Sequence, residues 1–163
     1  MDFFKEECST EGINVDFFGL CDKEDGSPAF VNFDNPNIWI AKVDNSRKNK
    51  NIQFVAIDKC IIKDNEHEGR GRCDCMLVTE NKEHLFFVEL KDRDKKWITG
   101  AIEQLESTIS FFSLNYNIDE YRHKKVFASN KGKKFQEVDN ELNLSFYRRY
   151  KFRIDIQSEI III

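Results

Sequence analysis

The sequence predicts an α/β (α+β) fold, a mixed central sheet flanked by helices, on three observations. Apolar, β-type runs recur from residue 15 to residue 91. At Trp97 the apolar period changes: Ile98, Ala101, Ile102, Leu105, Ile109 and Phe112 recur at helical spacing, an amphipathic helix of about four turns. A strand-like run, a second helix and a closing strand follow, an order that builds a mixed sheet with helices packed on it. With 163 residues, 40% hydrophobic and fifteen Phe, the chain is long enough for one domain with its own core.

In chain order, the first fifty residues read as a β-rich N-terminal extension. Its runs are Val15 to Leu20, Ala29 to Phe33 and Ile38 to Ala41, separated by a polar turn through Asp25-Gly26-Ser27. Asp44 to Asn51 is a polar loop. Gln53 to Ile62, rich in Phe, Val and Ile, is a strand interrupted by Asp58. Lys63 to Arg72 is a polar loop, and two apolar strands follow, Cys73 to Val78 and Leu85 to Lys91, joined by Thr79-Glu80-Asn81-Lys82-Glu83. Beyond the Trp97 helix, Lys125 to Ser129 is a strand, 138–149 a helix and Phe152 to Ile156 a strand; Ile160 to Ile163 reads as a last strand.

Composition narrows the function classes. The acidic start lacks the basic and long apolar regions of a signal peptide. No apolar stretch reaches the roughly 20 residues of a membrane helix. The expectation is a cytoplasmic protein with no membrane partner. Five cysteines suggest no disulfide framework. Cys73 and Cys75 flank Asp74 and should point away from it into apolar surroundings, a stronger reading than zinc held by Cys60, Cys73, Cys75 and His67 or His84. The net charge of −4 hides a polarity: residues 1–35 carry nine acids against two lysines, and residues 121–153 carry ten bases against three acids. Among those bases, Lys124, Lys125, Lys131, Lys133 and Lys134 are candidates for a phosphate-binding surface. Equally, the bases could neutralise the acidic N-terminus within the fold or across a homodimer.

The chemistry concentrates in Glu89-Leu90-Lys91. On a strand, Glu89 and Lys91 share one face and Val88 and Leu90 the other. If the hairpin turn centres between Asn81 and Lys82, paired residue numbers sum to 163 and Asp74 lies across from Glu89. Directly opposed residues stand ~4.5–5.5 Å apart, and two carboxylates there repel unless a proton or a cation lies between them. Lys91 follows about 7 Å along. A similar argument, with the preceding loop centred on Glu66, sums pairs to 132 and sets Asp58 opposite Asp74, as a third acid or a group hydrogen-bonded to the site. The structural alternative is that Asp58 pairs with a base such as Lys59 or Lys91. Glu66, Glu68, Glu103 and Glu106 read as solvated charges. There is no Ser–His–Asp spacing and no glycine-rich phosphate loop.

These residues resemble the PD-(D/E)xK nuclease superfamily: Asp74, a gap, Glu89-Leu90-Lys91, then a helix carrying Gln104, with Cys73 where the motif's proline would stand. The wider pattern Arg72-Cys73-Asp74, Phe87 to Lys91 and Ala101 to Leu105 is similar to a group of small uncharacterised bacterial proteins placed in that superfamily. The resemblance covers residues 53–130, a nuclease-like core between the N-terminal extension and a C-terminal helix and strand over 131–163. It implies a restriction-endonuclease-like sheet and an Mg-dependent endonuclease acting on nucleic acid, DNA first, in phage defence or DNA processing. It further implies Mg²⁺ or Mn²⁺ held by Asp74, Glu89 and the Leu90 carbonyl, Lys91 orienting the attacking water or neutralising phosphate charge, and Gln104 as a helper. The competing readings are an inactive module of the same fold binding nucleic acid or a partner protein, and an interaction or immunity-type module whose acidic N-terminal region is the contact surface.

Overall fold

The computed structural model describes residues 1–66, 71–92, 97–132 and 135–163. In chain order its elements are β1 (Ser9–Ile13), β2 (Phe17–Cys21), β3 (Phe30–Asn32), β4 (Ala41–Asp44), β5 (Ile52–Ala56), β6 (Cys75–Thr79), β7 (His84–Lys91), α1 (Ile98–Ser113), β8 (His123–Asn130), β9 (Phe135–Gln136), α2 (Asn140–Tyr150), β10 (Arg153–Gln157) and β11 (Glu159–Ile161). The mixed α/β class is as expected. The layering is not that of a sheet with helices alone on its faces.

Seven strands form the large sheet in the order β1-β5-β6-β7-β8-β10-β9. The β5–β6–β7 run is antiparallel, whereas β7, β8 and β10 run parallel. A parallel pair needs a crossover, and α1 supplies the one between β7 and β8. One face of the large sheet packs on the apolar stripe of α1, with Ala101, Leu105, Ile109 and Phe112 against Val55, Met76, Phe87 and Val126. Phe146 of α2 and Phe3 from the N-terminus join this same core. Each such fully buried side chain contributes ~1.5–3 kcal/mol relative to exposure.

The opposite face is covered by a second sheet of four strands, β11-β4-β2-β3. The β-rich first fifty residues therefore do not extend the large sheet, except for β1, which adds an edge strand next to β5. They build a lid for it, with Phe18, Leu20 and Val43 packed against Phe54, Leu77, Phe86, Val88 and Phe127. Of the final isoleucines, Ile160 and Ile161 lie in a strand, β11, parallel to β4, and Ile162 and Ile163 lie beyond it. Strands β6 and β7 are sandwiched between two apolar layers, which is why both read as nearly unbroken apolar runs.

A disulfide joins Cys8 to Cys60, across a sequence separation of 52, and corrects the expectation of none. It removes Cys60 from any zinc site. Cys21, Cys73 and Cys75 are free and buried. Cys73 faces the α1 core and Cys75 the core between the sheets, so they leave Asp74 in different directions. His84 is also unavailable to a metal: Nδ1 bonds Thr79 Oγ1 at 2.8 Å and Nε2 the Ile163 carbonyl at 2.5 Å. His67 lies outside the described residues. Among the described residues no helix is long and apolar enough to cross a membrane.

Candidate active site

The hairpin β6–β7 pairs Cys75 with Val88, Met76 with Phe87, Leu77 with Phe86 and Val78 with Leu85, the register in which numbers sum to 163. Its turn explains why. Asn81 and Lys82 both have positive φ, 60° and 54°, the left-handed pair that a tight two-residue hairpin turn requires. The same register carries Asp74 to Glu89. The two carboxylic side chains meet there, both buried, at 8% and 1% exposure.

A local irregularity turns Asp74 inward. Along a regular strand successive carbonyls point to opposite edges. At the start of β6, the Cys73 and Asp74 carbonyls both accept from β5's continuation, from Asp58 N and Ile57 N. Leu90 N–H of β7 then takes the Asp74 side chain in place of a main-chain partner, donating to Oδ2 at 2.7 Å. Asp74 N–H donates to Glu89 Oε1 at 3.2 Å. Lys91 Nζ stands 3.0 Å from Glu89 Oε2. Two acids and one ammonium thus converge at the end of β7.

The electrostatics are those of a buried like-charge pair. Burial raises the Asp74 carboxyl to about 6, against the downward pull of hydrogen bonds from Glu89 and the Leu90 N–H, with the charge of Asp22 adding to the rise. Glu89 lies well above the ordinary glutamate range, through burial first, then the Asp74 charge and the hydrogen bond with it; Lys91 pulls it back down. The buried pair accordingly holds a proton more tightly than either acid would alone. The donor chemistry suits a hard divalent cation, which takes carboxylate and carbonyl oxygens and completes its shell with water. Among the described residues no cluster of three or more His, Cys, Asp or Glu accompanies the pair, so such an ion would rest on two carboxylates.

No family model matches this chain. No curated protein and no solved structure is significantly similar to it.

Other expected residues fall elsewhere. Asp58 is not in the row. The β5–β6 register sums to 131, not 132, because the chain closes a tight turn at Ile57 to Ile62, with Lys59 at φ 68°. One residue of slip moves a side chain to the other face. Asp58 instead receives Arg72 Nε at 2.7 Å, while the same guanidinium holds Asp64 and the Glu66 carbonyl. The base that pairs with Asp58 is Arg72, neither Lys59 nor Lys91.

Gln104 sits on α1 against Gly71, where a Cβ would lie 3.2 Å from Gln104 Cγ. Among the described residues its amide makes no hydrogen bond to the acids. Its carbonyl accepts from Thr108 Oγ1, which in turn accepts from Cys73 N–H at 2.7 Å. Thr108 is therefore the residue that ties α1 to the segment carrying Asp74. Sequence reasoning missed it, since a threonine on an apolar helix stripe reads as core. It also missed Asp22, just past β2, whose charge reaches Asp74 from the small sheet.

Of the candidate phosphate-binding lysines, Lys124 and Lys125 lie toward the start of β8, opposite Leu85 and Phe86, about 13 Å of strand away from the acids. Lys124 donates to the Tyr121 carbonyl and Lys125 pairs with Asp155. Lys131 is at the right end: its N–H donates to the Lys91 carbonyl at 3.0 Å. Lys133 and Lys134 lie outside the described residues.

Proposed function

We propose that this chain is a divalent-metal-dependent nuclease of restriction-endonuclease-like type, hydrolysing phosphodiester bonds in nucleic acid. One observation carries the reading. Two buried carboxyls that would repel when ionised are held together, with an ammonium beside them, at the end of a central strand. Burying that pair is costly unless a proton or a cation neutralises it.

Asp74 and Glu89 would hold Mg²⁺ or Mn²⁺, with the Leu90 carbonyl as an added oxygen; such an ion polarises a phosphate and acidifies a bound water. Lys91 would set its ammonium where the phosphate oxygens gather charge in the transition state. The pair must give up its proton for the ion to bind, and the ammonium 3.0 Å from Glu89 favours that loss. Thr108 holds the Asp74 segment on α1 and so keeps the carboxyl aimed.

The test is nicking of supercoiled DNA with Mg²⁺ or Mn²⁺, alongside Mn²⁺ titration. Glu89→Gln and Lys91→Ala should each lower the rate by at least about a hundredfold. Glu89→Gln should also abolish Mn²⁺ binding. Equal activity in all three proteins would assign the cleavage to a contaminant. A second reading, an inactive module of the same architecture, is favoured by the two-acid donor set and the 1% exposure of Glu89. Salt-sensitive binding without cleavage would select it.

A further inference from the structure

The first fifty residues supply most of a second site. Between the small sheet and the end of β8 lies a cavity of about 480 Å³, lined among others by Phe17, Pro36, Trp39, Lys42, Lys131 and Glu159. We propose that this cavity binds an unpaired nucleobase and its phosphate, so that the preferred substrate is single-stranded nucleic acid. This rests on the nuclease reading and names its substrate class.

The aromatic walls are built rather than incidental. The Trp39 indole lies directly on Gly19, where any Cβ would come within 2.0 Å of the ring, so no other residue fits. Its Nε1 donates to Asn32 Oδ1 at 3.0 Å, which fixes the ring's rotation. A fixed indole bordering a cavity is the platform on which single-strand binders stack bases, and stacking accepts any base. Phe17 is 43% exposed, a large apolar surface that the fold itself does not bury.

The charges match a phosphate. Lys42 Nζ lies 4.4 Å from the centroid of the Phe17 ring. Glu159 is its cross-strand neighbour, yet among the described residues Lys42 forms no ion pair with it or any other acid. Among the described residues Lys131 Nζ donates to a neutral group, the Asn37 carbonyl at 2.8 Å. Two cations that form no ion pair among the described residues, beside two aromatic rings, offer an anion and a π-face together.

One main-chain hydrogen bond ties the cavity wall to the end of β7. Lys131, in its wall, is the residue whose N–H binds the Lys91 carbonyl. A strand whose base entered the cavity would carry its backbone past Lys131 toward Lys91. A duplex keeps its bases stacked and paired, and would have to surrender one.

The experiment is anisotropy of a labelled short oligothymidylate with the full chain in EDTA, where no cleavage occurs. The strand should bind more tightly than the matched duplex. Phe17→Ala and Lys42→Ala should each weaken it by at least about fivefold, with unchanged circular dichroism, while Lys124→Ala should not. Trp39→Ala removes a packed ring, so Phe17 and Lys42 decide if that variant does not fold. Unchanged affinity in both variants, or duplex bound as tightly as strand, would each overturn the inference. Nicking by the wild type with unchanged pocket variants would sink this site alone. Pocket variants that lose the strand while no nicking or Mn²⁺ binding is found would sink only the nuclease reading.

Discussion

Asp58 and Asp74 each interrupt an apolar run, and the fold treats them in opposite ways. Asp58 meets a guanidinium that also gathers Asp64 and the Glu66 carbonyl, so its charge is answered and the loop before β6 is pinned. Asp74 meets a second carboxyl, and the buried pair can carry both charges only with a cation between them. An acid inside an apolar run thus says little by itself; the sign of its nearest partner separates a structural tie from a reactive pair.

That contrast can be broken most forcefully from the structural side. Arg72→Ala leaves Asp58 and Asp64 facing each other's field without their shared cation, and should cost about 2–4 kcal/mol of stability in urea unfolding. A loss under about 0.5 kcal/mol would mean the tie is ornamental.

The reactive pair predicts a pH dependence of the reverse sense to that of a salt-bridged acid. Asp74 holds its proton to about 6 in the folded state but only to 3.8 as an ordinary side chain. Its stabilising contribution is therefore complete below about 3.8 and is lost as pH rises through about 6, with Glu89 extending the loss further. In EDTA the melting temperature should fall by several degrees from acid to alkaline pH. Asp74→Asn should flatten that fall, and Mn²⁺ at alkaline pH should restore what was lost. Melting temperatures rising with pH through this window would show that the pair is not buried as described.

The smallest effect is expected from Asp58→Asn. It keeps the shape and loses the charge assistance to Arg72, costing about 1 kcal/mol and leaving Mn²⁺ affinity unchanged within about twofold. Lost metal binding in a folded Asp58→Asn protein would return Asp58 to the site.

Local order explains what was legible beforehand. The 163 register could be read because one short turn, with Asn at a position that tolerates left-handed backbone, fixes it. The α1 helix was legible because its stripe is uninterrupted from Ile98 to Phe112. Asp58 was misplaced because its loop is long and begins with a tight turn that consumes strand residues. β1 was missed because Ser-Thr-Glu-Gly-Ile has no alternation; its position follows from β5 and the Cys8–Cys60 link, both remote in sequence. The pairing of the first fifty residues with β11 into a separate sheet depends on contacts across most of the chain. No window of residues could show it.

One residue, Ser158, separates β10 in the large sheet from β11 in the small one. Its hydroxyl donates to the Asn130 carbonyl and its own carbonyl accepts from Lys42 N–H. With so short a crossing, neither layer can swing away from its neighbour without tearing hydrogen bonds at the end of β8. Amide exchange should accordingly report a single cooperative opening for β4, β8 and β10, rather than a hinged clamp with two halves that breathe separately.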